Sequence, residues 1–325
     1  MAKCMSCMQD YEQQEYCPFC GAEAGLKAAD IGQIPAETIL NRRFIIGELI
    51  NSDRIGFTYL AWDALLERKV VIKEWFPCAL AQREENGLDV KGGMDAELWE
   101  RLNQQFMEHA RKLHKLQNIP ALVPIYTFFR ENNTSYYVME FLEGRTVRGM
   151  LERENPLVPS EAEKLMEKIA QALEILHDNG IIHGNLSPDN IFLCRTGEIR
   201  FLNLAWFSEE MKTIRYTVFQ GKYAPFDYEK AFFTQNREMD TYSFCAVYYR
   251  LITGCAPVSA LQRIKKEKLP SVSDYGVKIS ARTEKEIMEG LKNPDRSGKG
   301  MLRFLQILNV VLVITAAALG VLIVI

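Results

Sequence analysis

The sequence has almost no excess charge of either sign: 39 Lys and Arg face 42 Asp and Glu over 325 residues, leaving a net charge of −3 and a pI near 6.0. A chain without a basic field offers no track for a phosphate backbone, so nucleic acid is not expected as a partner. No apolar run follows the N-terminal Met-Ala-Lys-Cys, so no secretory signal is expected and the first segment should stay in a reducing cytosol. Low-complexity bias is missing too. With 25% charged and 48% hydrophobic residues, a disordered or collagen-like chain is excluded. The length also excludes a disulfide-stapled miniprotein and suggests two modules or one large two-lobed body.

What is present begins with cysteine. Of eight cysteines, four fall in the first 20 residues as Cys4, Cys7, Cys17 and Cys20, the last followed by Gly21. Two Cys-x-x-Cys knuckles can each aim two thiolates at one ion, and four thiolates close a tetrahedral zinc site with no position left for water. The expectation is a structural zinc ribbon over residues 1–22, with two disulfides as the alternative that a cytosolic setting disfavours. Around it, Lys3 and Lys27 are outnumbered by Asp10, Glu12, Glu15, Glu23 and Asp30, so a protein-contact or folding-cap role is expected rather than phosphate binding. Cys78, Cys194, Cys245 and Cys255 read as buried small hydrophobes.

At the other end, residues 304–325 are apolar at 18 of 22 positions. As a helix they would span roughly 33 Å, against a bilayer core of about 30 Å, so a transmembrane helix is expected. The preceding flank carries Lys292, Arg296, Lys299 and Arg303 against Asp295, which places the body on the cytoplasmic side of a cell membrane crossed once. Either the span is a tail anchor or a portion beyond it is absent from this sequence. Residues 23–40, with Pro35, read as a linker that should leave ribbon and body as separate cooperative units.

The body, residues 41–298, changes character along its length. Short β-rich runs come first, at Phe44–Leu49, Phe57–Asp63 and Lys69–Glu74. A helical stretch at Ala96–Leu116 follows, then Leu122–Phe129 and Ser135–Phe141 joined by Asn132-Asn133. That predicts a five-stranded sheet with one inserted helix over a small lobe, 41–141. The large lobe, 142–298, turns helical: an amphipathic helix over 160–180 with Ser160 as N-cap, a mostly apolar one over 237–254, and a small hairpin turning at Thr196-Gly197. The fold class is α+β and bilobal, flanked by the ribbon and the apolar tail.

Several segments in this order carry a family resemblance. Lys69-Val-Val-Ile-Lys73-Glu-Trp-Phe-Pro77 resembles the third strand of the protein kinase fold, with Lys73 as its phosphate-pairing lysine. Ile182-His183-Gly184-Asn185-Leu186-Ser187-Pro188-Asp189-Asn190 resembles the catalytic loop, and Tyr223-Ala224-Pro225-Phe226-Asp227 the end of the activation segment. Asp240-Thr-Tyr-Ser-Phe resembles the start of the central large-lobe helix, and Asn293-Pro-Asp-Arg296 the terminal arginine motif. The wording is most similar to bacterial membrane-anchored serine/threonine kinases. By that resemblance His183, Asp227, Asp240 and Arg296 support the fold, while Lys73, Gly56, Met139 and Asn190 are the remnant of a nucleotide pocket.

The catalytic parts the resemblance implies are mostly missing. The phosphate loop, Asn51-Ser-Asp53-Arg-Ile-Gly56, keeps one of three glycines, and the Asp53 carboxylate would repel phosphate. The base position holds Asn185, which cannot take a proton from a hydroxyl at neutral pH and should cost about 10²- to 10⁴-fold. The magnesium motif reads Asn203-Leu204-Ala205, a dipole where a hard cation favours a carboxylate. His109 takes the place of the helix glutamate, with Glu108 beside it. Zinc is therefore the expected cofactor, while ATP and magnesium, which the resemblance implies, are doubtful. Lys73 and Asn190 are read equally as a residual ion pair or hydrogen bond and as nucleotide contacts. The expectation is a membrane-anchored cytosolic pseudokinase acting as a binding and regulatory signalling module for a protein partner. The alternative is a divergent, weakly active serine/threonine kinase using Lys73 and Asn190.

Overall fold

The structure is a computed structural model that describes residues 2–12, 14–24, 32–93, 95–205, 221–225, 237–263 and 269–292. Asp227, Arg296 and the apolar stretch 304–325 lie outside the described residues. Among the described residues no helix is long and apolar enough to cross a membrane. The chain forms two compact units. The first is built from residues up to 118 together with 123–142, the second from 119–122, 143–205 and the described residues from 221 to 292.

The N-terminal unit opens with a two-stranded pair, β1 (Ala2–Lys3) and β2 (Asp10–Tyr11), that frames the first cysteines. Its main sheet is antiparallel and six-stranded. The members are β3 (Ile39–Leu40), β4 (Phe44–Ser52), β5 (Phe57–Asp63), β6 (Arg68–Glu74), β9 (Ile125–Glu131) and β10 (Thr134–Glu140), in the order β3-β4-β5-β6-β10-β9. The sixth strand, β3, comes from the stretch read as linker; two residues are too short to show a period. A small hairpin, β7 (Ala81–Arg83) with β8 (Val90–Gly92), precedes helix α1 (Ala96–Lys115), which packs against β9 and β10. Asp95 caps α1, its side chain accepting from the Leu98 N–H at 3.1 Å. At the β9–β10 turn both Asn132 and Asn133 have positive φ, near 54° and 53°, the geometry an antiparallel two-residue turn requires.

An aromatic core lies between α1 and the sheet. The ring of Trp75 sits 5.6 Å from that of Phe106, which sits 5.3 Å from that of Tyr137, and each such buried ring contributes about 2–3 kcal/mol by leaving water. Beside it Glu74 is fully buried. Its carboxylate receives both Arg83 terminal nitrogens, at 2.8 and 2.9 Å, and the hydroxyls of Tyr59 and Tyr136, each at 3.0 Å. Burial pushes the Glu74 carboxyl up, opposed by Arg83. The same network reaches backward: Arg83 donates to the Gly32 carbonyl at 2.8 Å, and the Ile34 N–H donates to the Tyr59 hydroxyl at 3.0 Å. From Gly32 onward the expected linker is thus tied into the sheet.

In the C-terminal unit, β11 (Gly144–Thr146), β12 (Ile191–Cys194) and β13 (Ile199–Phe201) form a three-stranded sheet, with Gly197 at φ 87° in the anticipated hairpin turn. Helix α2 (Val147–Leu151) follows β11. Helix α3 (Pro159–Asp178) packs on α4 (Arg237–Thr253), which also packs on α6 (Ala281–Lys292), while the short α5 (Ala260–Arg263) lies between α4 and α6 in sequence. The Ser160 cap is not used. Val158 is the N-cap without a side-chain bond and Pro159 takes the first turn, where its missing N–H costs nothing. Leu122, assigned from sequence to a strand of the small lobe, instead bridges Phe201, and the Phe201 N–H donates to Ala121 at 2.8 Å. Nor are all the scattered cysteines buried: Cys78 and Cys255 are exposed, Cys194 and Cys245 partly so.

Candidate functional site

The four N-terminal cysteines converge. Their sulfurs all lie within 4.8 Å of one another. Cys4 Sγ is 3.6 Å from Cys20 Sγ, and Cys7 Sγ is 3.7 Å from Cys17 Sγ. A tetrahedron with Zn–S bonds near 2.3 Å needs S···S edges of about 3.8 Å, whereas a disulfide needs about 2.05 Å, so the donor set fits a metal ion and not two disulfides. Burial pushes the Cys7 thiol up to about 12. At Cys17 burial pulls the same way but is outweighed by the backbone N–H groups of Phe19 and Cys20, which bring the thiol down to about 7. This cluster is docked on the sheet: Met8 is buried, the Glu48 N–H donates to the Met5 carbonyl, and Lys3 stands 3.7 Å over the Trp62 ring.

Within the N-terminal unit, Lys73 lies on β6, opposite Thr58 on β5 and Tyr137 on β10. Its side chain is 2% exposed, and its Nζ is 2.6 Å from Asp53 Oδ2. The partner of Lys73 among the described residues is therefore in the loop between β4 and β5 and not on α1. His109 there is half-buried, and burial, with Lys112 adding to it, holds its imidazole down to about 3; a neutral ring cannot serve as the anion for a lysine. Glu108 is exposed and accepts from Gln104 instead. Met139 is half-buried on β10 opposite Val71, and a bulge separates it from Val138. Gly56 is indispensable where it stands: a Cβ would sit 2.0 Å from the Glu74 carbonyl oxygen and 2.6 Å from the Phe76 nitrogen.

Within the C-terminal unit, the loop from His183 to Asn190 is organised by Asp240, fully buried at the start of α4. One carboxylate oxygen accepts from His177 Nε2 at 2.8 Å and the His183 N–H at 2.9 Å; the other accepts from the Gly184 N–H at 2.8 Å. Burial holds the His183 imidazole down to about 4, against the Asp240 charge that pulls it up. Asp189 forms a two-pronged ion pair with Arg148.

The three asparagines close a ring of their own. Asn190 Nδ2 donates to the Asn185 carbonyl at 2.7 Å. Asn185 Nδ2 donates to the Asn203 carbonyl at 3.1 Å. Asn203 Nδ2 donates to Asn190 Oδ1 at 3.0 Å. Two of the acceptors are backbone carbonyls, which only accept, so the amide orientations are fixed rather than arbitrary. Asn203 holds φ at 51°, a left-handed conformation that asparagine tolerates. The side-chain oxygen of Asn190 therefore faces an N–H, and the three amides, with no carboxylate among them, do not fit the magnesium ion that the resemblance implies.

Sequence reasoning missed the Asp53–Lys73 pair. It read Asp53 as a repellent, and the signal overlooked was an acid one strand away from a lysine that α1 leaves without a carboxylate.

Compared with known proteins, the sequence pattern of the protein kinase domain matches residues 94–306. The serine/threonine-protein kinase PrkC of Bacillus subtilis is 30% identical over 161 residues, covering 50% of this chain and 22% of that protein. A probable serine/threonine-protein kinase of Clostridium perfringens is 25% identical over 243 residues, 71% of this chain and 33% of that protein. PknB of Mycobacterium tuberculosis is 24% identical over 274 residues, 79% of this chain and 41% of that protein. The chain thus spans less than half the length of these curated relatives. Among solved structures, the PpkA-294 apo form superposes with a TM-score of 0.69 at 22% identity, covering 84% of this chain and 99% of that one, a likeness of fold.

Proposed function

The chain belongs to the protein kinase domain family, and from that premise we propose that it is a pseudokinase: a binding and regulatory module that does not transfer phosphate. The observation that carries this is the asparagine ring. At the base position Asn185 spends its amide on the Asn203 carbonyl, and at the metal position Asn203 spends its own on Asn190, so neither place holds a carboxylate to take a proton or ligate a cation. Asp240 supports the loop backbone, which fits a domain kept for its shape.

The rival reading, a divergent active serine/threonine kinase, draws on the names of the relatives and on the retained Lys73 and Asn190. Radiolabelled phosphate incorporation into the chain itself or a generic acceptor, with Lys73→Ala as blank, separates the two. No incorporation above the blank is expected. Incorporation by the wild type that Lys73→Ala abolishes makes the chain an enzyme.

The reading extends to the ends of the chain. The cysteine cluster is proposed to hold one structural zinc, supported by the 3.6 and 3.7 Å sulfur separations; elemental analysis should find one zinc per chain, and its absence from protein purified reduced and without chelator overturns the assignment. Residues 304–325 are proposed to anchor a cytoplasmic body in the cell membrane, on the strength of their composition; deletion should free the body from membranes. Protein partners, rather than nucleic acid, are proposed on the near-neutral charge, and co-purification from solubilised membranes tests this.

A further inference from the structure

The phosphate loop carries its own anion. Asp53 Oδ1 accepts from the Ile55 N–H at 2.8 Å and the Gly56 N–H at 3.1 Å, while Oδ2 accepts from Lys73 Nζ at 2.6 Å. Successive backbone N–H groups in a tight turn, with a lysine above them, make a concavity that binds oxyanions. Here every one of those donors is taken by a single carboxylate from within the loop.

The loop is also fastened in that position. The Phe76 N–H donates to the Ile55 carbonyl at 2.9 Å, the Asp53 N–H donates to the Gly56 carbonyl at 3.0 Å, and the same Gly56 carbonyl lies 3.4 Å from Lys73 Nζ. Gly56 itself lies so close to the Glu74 backbone that no side chain fits between them. An incoming phosphate must therefore break an ion pair at a 2% exposed lysine and also take the carboxylate from the Ile55 N–H and from the Gly56 N–H, which shares it with the Asp53 backbone carbonyl at 3.3 Å. Asp53, at 29% exposure, still reaches water, so the pair is displaceable in principle but opposed by like charge: the entering phosphate meets a carboxylate before it meets the lysine.

We propose that Asp53 is a specificity-determining residue that substitutes for phosphate on Lys73 and thereby excludes phosphate-bearing ligands from this site. The proposal rests on the pseudokinase reading and gives it a second, separate cause: the first lies in the asparagines of the C-terminal unit, this one in the loop of the N-terminal unit.

The test uses the full chain and three probes: inorganic tripolyphosphate, ATP with magnesium, and ATP with chelator. Binding is followed by thermal shift and equilibrium dialysis. The wild type should bind tripolyphosphate and ATP weakly or not at all. Asp53→Gly should tighten both by about tenfold or more, and adding Lys73→Met to Asp53→Gly should cancel the gain. Asp53→Asn keeps an acceptor for the Ile55 and Gly56 N–H groups while removing the charge, so it should gain less than Asp53→Gly in the same direction. It carries the test if Asp53→Gly fails to fold.

Wild-type binding as tight as that of the variants overturns the proposal, as do folded Asp53 variants that bind no better. Phosphate transfer is measured on the same samples. Wild-type transfer overturns the pseudokinase reading and the exclusion with it, because a chain that transfers phosphate must hold its phosphate donor. Equal binding without transfer overturns the exclusion alone.

Discussion

The backbone N–H of Glu48 donates to the carbonyl of Met5 at 2.9 Å, joining the cysteine knuckle to β4 through a bond that no side chain controls. Its neighbour Gly47 permits the approach. A Cβ on Gly47 would lie 2.3 Å from the Met5 oxygen and 2.2 Å from Met8 Cε. The methionine can swing away, but the carbonyl cannot without opening the knuckle. Gly47→Ala should therefore cost about 1–3 kcal/mol, the range for forcing a group into a packed contact, and should speed release of the zinc proposed for the cluster to a chromogenic chelator. Melting and release indistinguishable from wild type would falsify the docking. Against the expectation of separate cooperative units, the contact predicts that ribbon and sheet unfold together, so Cys17→Ser should lower the melting temperature of the sheet and not merely loosen the first 22 residues.

A second expectation concerns the buried charges behind β6. Glu74 is fully buried, and Arg83 supplies both of its charged donors. Arg83→Met removes the cation and leaves a carboxylate that burial already pushes toward the neutral form. Losing one partner of such a pair costs about 3–5 kcal/mol, and the loss should be smaller in Arg83→Met with Glu74→Gln, since the uncompensated charge is gone. Urea titration of the two variants measures this. A double variant no more stable than the single one contradicts it. The single variant should also make the chain after Gly32 more susceptible to proteolysis, because Arg83 holds the Gly32 carbonyl.

How far the sequence foretells these arrangements depends on whether a feature is local. Phe57–Asp63 is legible as a strand from its β-rich run, and the Asn132-Asn133 turn from residues that tolerate positive φ. Ile39–Leu40 is not, since a two-residue strand has no period and exists because β4 offers it an edge. The docking of the knuckle is equally hidden: Gly47 reads as one glycine in a strand until Met5 and Met8 are placed over it. In the site, the amides at Asn185 and Asn203 are plain from residue identity. Their closure into a ring depends on backbone carbonyls whose direction only the fold sets. Asp53 shows the same limit, its charge legible and its partner fixed by the register that puts Thr58 beside Lys73.

A third expectation is a loss of stability in acid. Burial holds His183 near 4 in the folded chain, against an unfolded value of about 6.5. Between those values the unfolded chain binds a proton that the folded chain refuses, so stability is fully present above pH 6.5 and falls as pH drops toward 4. At about 1.4 kcal/mol per pKa unit the loss is about 3 kcal/mol at the lower end of that window. His109, held near 3, acts in the same direction. In His183→Asn, whose amide oxygen can replace Nδ1 as acceptor for the Asn185 N–H, the slope of stability against pH should be shallower than in wild type. Denaturant midpoints measured from pH 7.5 to 4.5 decide it. Parallel curves for the two proteins exclude His183 as a source of the slope, and comparing them cancels acid effects at the cysteines.

The asparagine ring yields the last expectation. Asn203→Asp replaces a donor with an oxygen that faces Asn190 Oδ1, and Asn190 cannot turn its amide around, because its Nδ2 already serves the Asn185 carbonyl at 2.7 Å. Two acceptors then face each other across about 3 Å, at a cost of about 1–3 kcal/mol for the lost bond and the unmet oxygen. A hard divalent cation accepts both oxygens, so the penalty should be relieved by magnesium or manganese and not by sodium at equal ionic strength. Asn203→Ala loses the same bond but gains no ligand, so it should melt lower than wild type with or without the metal. The measurement is the melting temperature of the three proteins in chelator and in millimolar magnesium. Recovery confined to Asn203→Asp identifies the wild-type amide as the group that stands where a cation would otherwise be needed. An Asn203→Asp protein that melts like wild type in chelator shows that the ring contributes nothing there.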